Sequence, residues 1–221
     1  MPRTGFRPAV VLTALFIALG ARAAADWPLL LSADFSSGRA DGWRASDPSH
    51  WRVGREDGSF YYELTAPGAP GRVRAPTSWS VLEGREVSAF VFSGRLRCQA
   101  DPTNIRRDMD IFFYFMDAEH FAYVHFAASS DEVHNIIGLV DGADRVKINL
   151  EPVGTSAARL TGRGWHAFKV MADGSGRIEA FLDDMTAPIL TARLPGGRRG
   201  LVGVGSFDDT GAFADLRLWG R

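Results

Sequence analysis

Asp108 and Asp110, spaced one residue apart, together with His125 hold the densest chemistry in this sequence. A carboxylate beside an imidazole orients the ring and raises its basicity, which gives a general base near neutral pH. Asp110 and His125 are therefore the candidate orienter and base, with Arg97 as the cation that would stabilise developing negative charge. The same cross-strand pair also occurs as a plain sheet contact worth about 0.2–1 kcal/mol.

The elements that position these residues are read from alternation. Asp117-Ala118 lies between two runs of alternating character, so a tight hairpin is expected there. Pairing Met116 with Glu119 sets Tyr114 opposite Phe121, Phe112 opposite Tyr123, Asp110 opposite His125 and Asp108 opposite Ala127. The other face is then Met109, Ile111, Phe113 and Phe115 against Ala122, Val124 and Phe126, an apolar set that belongs in a core. Arg95 and Arg97 share a parity on the preceding strand and are expected beside Asp108 and Asp110. With Asn135, they complete a polar and aromatic face of Arg95, Arg97, Asp108, Asp110, Phe112, Tyr114, Phe121, Tyr123 and His125. Aromatic rings to cover C–H surfaces and charged groups to bond hydroxyls suit a sugar.

The rest of the chain continues the pattern. From Asp26 onward, short β-rich segments alternate with Gly, Pro, Asp and Ser clusters, and no helical period is sustained. About fourteen strands are expected, at 29–35, 50–55, 59–65, 73–81, 86–98, 108–116, 119–128, 133–140, 145–150, 165–172, 177–182, 188–192, 201–207 and 212–219. This spacing predicts an all-β sandwich of two packed sheets. The run from Gly200 to Gly220 reads as its closing hairpin around an acidic turn.

Arg3 and Arg7, an apolar stretch from Ala9 to Leu19 and small residues at Ala21-Arg22-Ala23 and Ala23-Ala24-Ala25 read as a secretory signal peptide over residues 1–25. Residues 26–221 are then one exported domain, secreted or periplasmic, with no transmembrane segment in the mature chain. Twenty-five basic and 26 acidic residues nearly balance without long blocks, which argues against a nucleic-acid partner. Cys98 is the only cysteine, so no intrachain disulfide forms.

Trp165-His166-Ala167-Phe168-Lys169-Val170, Asp173-Gly174-Ser175-Gly176 and Ile178 to Asp184 resemble the laminin G-like pattern of a Trp-His strand, a Gly turn and a strand ending in Asp. Ala33-Asp34-Phe35, Gly42-Trp43 and Trp51-Arg52-Val53, with Gly203-Val204-Gly205 and Phe213-Ala214-Asp215, are similar to the two ends of such domains. Over nearly the whole mature chain the sequence resembles the concanavalin A-like lectin/glucanase superfamily, including its 3-keto-disaccharide hydrolase-like domains. The resemblance implies a jelly roll of two curved antiparallel sheets whose concave face binds carbohydrate, and it implies no single activity. Glucanases of the superfamily carry Glu-x-Asp-x-Glu on one strand; here Asp108-Met109-Asp110-Ile111-Phe112 puts Phe at the acid/base position, against the usual retaining mechanism.

No cofactor is required by these motifs, although superfamily domains often hold a structural calcium where the chain ends meet. Asp34, Asp209 and Asp215, beside Asp208, are its candidate ligands, and Asp-Asp-Thr-Gly is also ordinary turn chemistry. Asp209-Thr210-Gly211 matches the aspartic-protease tripeptide, but those enzymes need two such loops and only one exists. His134 shares parity with Ile136 and Val140 and is expected near the core, while His166 is expected to make a structural hydrogen bond. No His or Cys spacing makes a zinc site. The six tryptophans are expected mostly buried. The functional expectation is a carbohydrate-binding domain; a glycoside or keto-glycoside hydrolase using the same face, and a non-catalytic protein-interaction module, are the alternatives.

Overall fold

The computed structural model describes residues 27–152, 154–156 and 159–221, so the expected signal peptide at 1–25 lies outside the described residues. Among the described residues fifteen strands follow in order, the first eight being β1 (Leu29–Ala33), β2 (Trp43–Ala45), β3 (Trp51–Glu56), β4 (Ser59–Leu64), β5 (Ser78–Leu82), β6 (Phe90–Cys98), β7 (Asp108–Asp117) and β8 (His120–Ala127). The second half adds β9 (Ile136–Asp141), β10 (Val146–Lys147), β11 (His166–Ala172), β12 (Arg177–Leu182), β13 (Leu190–Arg193), β14 (Leu201–Ser206) and β15 (Gly211–Gly220). One 3-10 turn, Pro48–His50, precedes β3. No helix of the described residues is long and apolar enough to cross a membrane.

The strands form a jelly-roll sandwich of two antiparallel sheets. One runs β13-β12-β11-β6-β15-β4-β3, with β1 also on β15; the other runs β10-β9-β8-β7-β14-β5-β2. Between them lies a core to which Phe90, Phe92, Phe168 and Phe213 come from the first sheet and Met109, Ile111, Phe113, Val124 and Phe126 from the second. Alternation at period two sends these residues inward and their neighbours outward.

Strands β6 and β7 are consecutive in sequence but sit in different sheets, and so are β14 and β15. The run from Gly200 to Gly220 is therefore not a closing hairpin. β14 pairs β7 and β5, β15 pairs β6, β4 and β1, and the acidic residues between them form a corner where the chain changes sheets.

The β7–β8 hairpin keeps the expected register from Asp108 opposite Ala127 through Asp110 opposite His125 to Phe112 opposite Tyr123. Beyond Phe113 it shifts, and the closing pair is Asp117 with His120 rather than Met116 with Glu119. The shift is a bulge at Tyr114, whose φ is 51°. Between Phe113 and Asp117 β7 is two residues longer than the β8 stretch it faces, and the left-handed backbone at Tyr114 turns that residue into the inter-sheet core, where it donates its hydroxyl to Ser88 O, while Phe115 turns to the opposite face. Asp117 ends the strand by accepting from the Glu119 amide at 2.8 Å.

The outer face of the second sheet is not an open groove. Residues 65–77, rich in Pro and Gly, pass from β4 in one sheet to β5 in the other and lie across it. Val73 and Ala75 of this strap pack on Phe112, Phe115, Phe121, Tyr123 and Val140, making a second small core. Phe112 and Tyr123 are fully buried, each worth about 1.5–3 kcal/mol. The strap is fastened by Arg72 to Glu119, by the Arg74 amide to Asp144 and by Thr77 Oγ1 to Phe207 O at 2.6 Å. Prolines at 67, 70 and 76 lack the amide a ladder needs, so the expected strand at 73–81 begins only at Ser78.

Candidate functional site

One end of the outer face escapes the strap, and there the chemistry collects. Asp108 and Asp110 project from β7 and His125 from β8, and the two-residue period puts all three on one side. His125 Nδ1 bonds Asp110 Oδ1 at 2.7 Å, and Asp108 Oδ1 stands 3.9 Å from the same nitrogen. All three residues are at most 3% exposed.

The corner after β14 closes over them. Asp108 Oδ1 accepts from Ser206 Oγ at 2.8 Å and from the Phe207 amide at 2.7 Å. In return Asp209 Oδ2 accepts from the Asp108 amide at 2.8 Å, and the Asp209 amide donates to Ser206 Oγ. Close approach of β14 needs its glycines, since a Cβ on Gly205 would lie 2.0 Å from Ser78 O and 2.9 Å from the Phe112 ring.

A pocket of about 560 Å³ opens above the cluster. Arg74 from the strap, Arg106, Asp131, His134, Arg145 and the corner residues Phe207 and Asp208 line it around Asp108 and His125. The Arg145 guanidinium lies 4.5 Å over the Phe207 ring, and its buried Nη1 has no hydrogen-bond partner. Asp110 Oδ2 and the Tyr123 hydroxyl, both buried, have none either.

Burial dominates the electrostatics. It pushes the Asp108 carboxyl up to about 8, with Asp110 adding to the rise and His125 opposing it. Asp110 is raised well above the ordinary carboxylate range by burial, against the pull of Arg145. Burial also lowers His125, so the imidazole favours its neutral form.

The expected site residues divide. Asp108, Asp110 and His125 are brought together as expected, with Tyr123 beside them. Phe112 and Phe121 lie under the strap with the Tyr123 ring, where no ligand reaches them. Tyr114 is in the inter-sheet core. Asn135, at φ 50°, is buried and accepts from the Ala127 amide at 2.9 Å, so it supports the end of β8 instead of facing a groove. His134, expected near the core, instead lines the pocket, with Nδ1 held by Asp131 at 2.8 Å and its ring centroid 5.7 Å from that of His125.

Arg95 and Arg97 are not at this site, because β6 belongs to the other sheet. Both stack on Trp165, at 5.1 and 4.6 Å, and pair with Asp215 and Glu56. The expected calcium ligands are likewise separated: Asp34 accepts from Ser36, Asp215 pairs with Arg95, and Asp209 holds the Asp108 amide. Among the described residues the groups with metal-ligand spacing are Asp108, Asp110 and His125, and Asp108, Asp208 and Asp209. His166 makes the expected structural bonds, to Asp183 and Thr161 O. Of the tryptophans only Trp51 is buried; the other five keep an exposed edge.

No family model and no curated protein matches the chain. Solved structures do share its fold. The carbohydrate-binding module CBM66 from Bacillus subtilis superposes with a TM-score of 0.57 at 15% identity, over 80% of this chain and 95% of that one. The cellulose-induced protein Cip1 gives 0.55 at 15% identity, over 86% and 97%. A protein of Parabacteroides distasonis provisionally assigned as a glycosyl hydrolase gives 0.53 at 13% identity, over 96% and 98%. At these identities the likeness establishes the all-β sandwich, a fold that hosts many activities.

Proposed function

We propose that this chain is an exported carbohydrate-binding domain that takes a neutral sugar in the pocket above His125. The observation that carries the reading is the pocket's own chemistry. Arg74, Arg106 and Arg145 line it together with Asp108, Asp131, Glu132 and Asp208, so donors and acceptors are mixed and neither sign dominates. Such a lining matches hydroxyl groups, which both donate and accept. Phe207, backed by Arg145, supplies an apolar ring for a C–H face.

Fold neighbours named for carbohydrate binding or cellulose induction favour the same reading. The signal-like residues 1–25 favour export. The hydrolase alternative is weakened because Arg97, its expected charge stabiliser, sits on the other sheet.

Calorimetric titration of the mature chain with a broad panel of mono- and oligosaccharides tests the reading. Binding weakened by Arg145→Ala and by Asp208→Asn, and unchanged by Arg97→Ala, is expected. Absence of binding across the panel, or binding that Arg97→Ala abolishes, would refute it.

A further inference from the structure

On the carbohydrate reading above, we infer that His134 is the residue through which the pocket selects its sugar. Its Nε2 accepts a hydrogen bond from one hydroxyl of the ligand. A sugar with that hydroxyl free is taken, and its ether, ester or keto counterpart is turned away. His134 stands in a turn that this chain uses three times: Asp47-Pro48-Ser49-His50, Asp117-Ala118-Glu119-His120 and Asp131-Glu132-Val133-His134. In each the Asp carboxylate approaches the imidazole three residues on, at 3.5, 2.8 and 2.8 Å. Of the three, the last alone lines the pocket.

Asp131 decides which nitrogen is free. Its Oδ1 and Oδ2 stand 2.9 and 2.8 Å from His134 Nδ1, and Oδ1 also accepts from the Val133 and His134 amides at 2.9 and 3.0 Å. Burial alone would raise the Asp131 carboxyl, but the bonds from Val133 and His134 outweigh it and hold the group below its ordinary range. A carboxylate only accepts, so Nδ1 carries the ring proton and Nε2 keeps its lone pair. Among the described residues Nε2 makes no hydrogen bond, and it is not shut off from solvent.

The surroundings single out this nitrogen. The His125 ring backs that of His134 at 5.7 Å, tilted by 35°, so the imidazole is held from β8 as well as from its own turn. Asp131 is spent on His134, and Glu132 pairs with Lys147 at 3.2 Å, so the turn offers the ligand a neutral acceptor. Arg74, Arg106 and Arg145 around the pocket are donors only. His166 differs, since Asp183 and Thr161 O engage both of its nitrogens. An ether, ester or keto oxygen has no proton to give Nε2, and losing that bond should weaken binding about ten- to hundredfold.

Diethyl pyrocarbonate, which acylates accessible unprotonated imidazole nitrogens, tests the geometry on the mature chain without a sugar. Peptide mapping should find His134 labelled ahead of His125 and His166, and ring ¹⁵N spectra should place its proton on Nδ1. Labelling no faster than His166, or a proton on Nε2, overturns the assignment. For the tightest sugar of the calorimetric panel, deoxy and O-methyl analogues at each hydroxyl are then compared on the wild type and on His134→Ala. One position should cost the wild type about ten- to hundredfold and the variant almost nothing. His134→Gln, which keeps an acceptor, should lie between them, and His120→Ala, in the second copy of the turn, should match the wild type. Near-UV circular dichroism establishes that each variant is folded. Equal losses on wild type and His134→Ala at every position overturn the role of His134 and leave sugar binding intact. A panel without any binder refutes the carbohydrate reading itself, and the selection falls with it.

Discussion

Arg107 offers the sharpest test of how the site is held. It is 1% exposed and forms no ion pair among the described residues; its guanidinium is solvated by backbone carbonyls alone. Nε and Nη2 donate to Leu160 O at 3.2 and 2.9 Å, Nη2 also to Gly162 O at 2.5 Å, and Nη1 to Ala100 O at 3.4 Å. Its own carbonyl accepts from the Ala128 amide, and the next residue is Asp108. Arg107 thus pins the strand end that carries the site to two neighbouring loops.

In Arg107→Ala the buried Leu160 carbonyl loses both donors, a cost of about 1–3 kcal/mol, and bonds from a charged donor to two further carbonyls are lost at about 1.5–3 kcal/mol each before water replaces part of them. Releasing the guanidinium from its dry site opposes this by several kcal/mol. Because four bonds to carbonyls already solvate the group, the loss should prevail, leaving a net destabilisation of roughly 3 kcal/mol, at the upper end of ordinary substitutions. With a urea m-value of about 2 kcal/mol/M, the unfolding midpoint should fall by about 1.5 M, and Arg107→Lys should lie between. A midpoint equal to or above that of the wild type would refute the reasoning, because it would show that burying the guanidinium costs more than the carbonyls return.

Cys98 is 2% exposed and burial raises its thiol to about 12, so at about pH 8 the thiolate is scarce and a disulfide reagent should label the protein only in denaturant; stoichiometric labelling of the native chain would contradict the buried placement. Gly205→Ala should lower stability by about 1–3 kcal/mol or more, since its Cβ meets the Ser78 carbonyl oxygen at 2.0 Å, a backbone atom that moves only if β5 and β14 separate; an unchanged melting temperature would count against that packing.

Much of the architecture was legible from alternation. Each of the fourteen expected strands overlaps an observed one, and the Asp110–His125 pairing follows from counting back along the hairpin. Only β2 escaped, three residues being too short for a period to show. What failed has physical causes. The bulge at Tyr114 lies in Phe112-Phe113-Tyr114-Phe115, where either parity is aromatic, so nothing in the pattern marks the reversal. Arg95 and Arg97 were misplaced because consecutive strands usually pair, whereas β6 and β7 are in different sheets. Arg107 and Arg145 carried no signal, since one is anchored by carbonyls and the other by a ring, partners that only the fold brings near.

The strap over residues 65–77 decides where function can lie. Phe112, Phe121 and Tyr123 look in sequence like a platform for a sugar, but Val73 and Ala75 turn them into a second core. The strap ends at Thr77, whose amide and hydroxyl both bond Phe207 O, so the segment that covers the aromatic face also fixes the wall of the pocket. Arg74 on the strap and Arg145 beyond it are joined by a backbone bond at 3.0 Å, which sets two of the pocket's cations from one side. Asp108, Asp110 and His125 escape coverage only because they stand at the far end of β7 and β8, where the corner to β15 and not the strap encloses them. On the carbohydrate reading proposed above, a buried aromatic layer behind a small charged opening would favour a ligand recognised at one end, a terminal sugar residue, over a chain laid along the sheet.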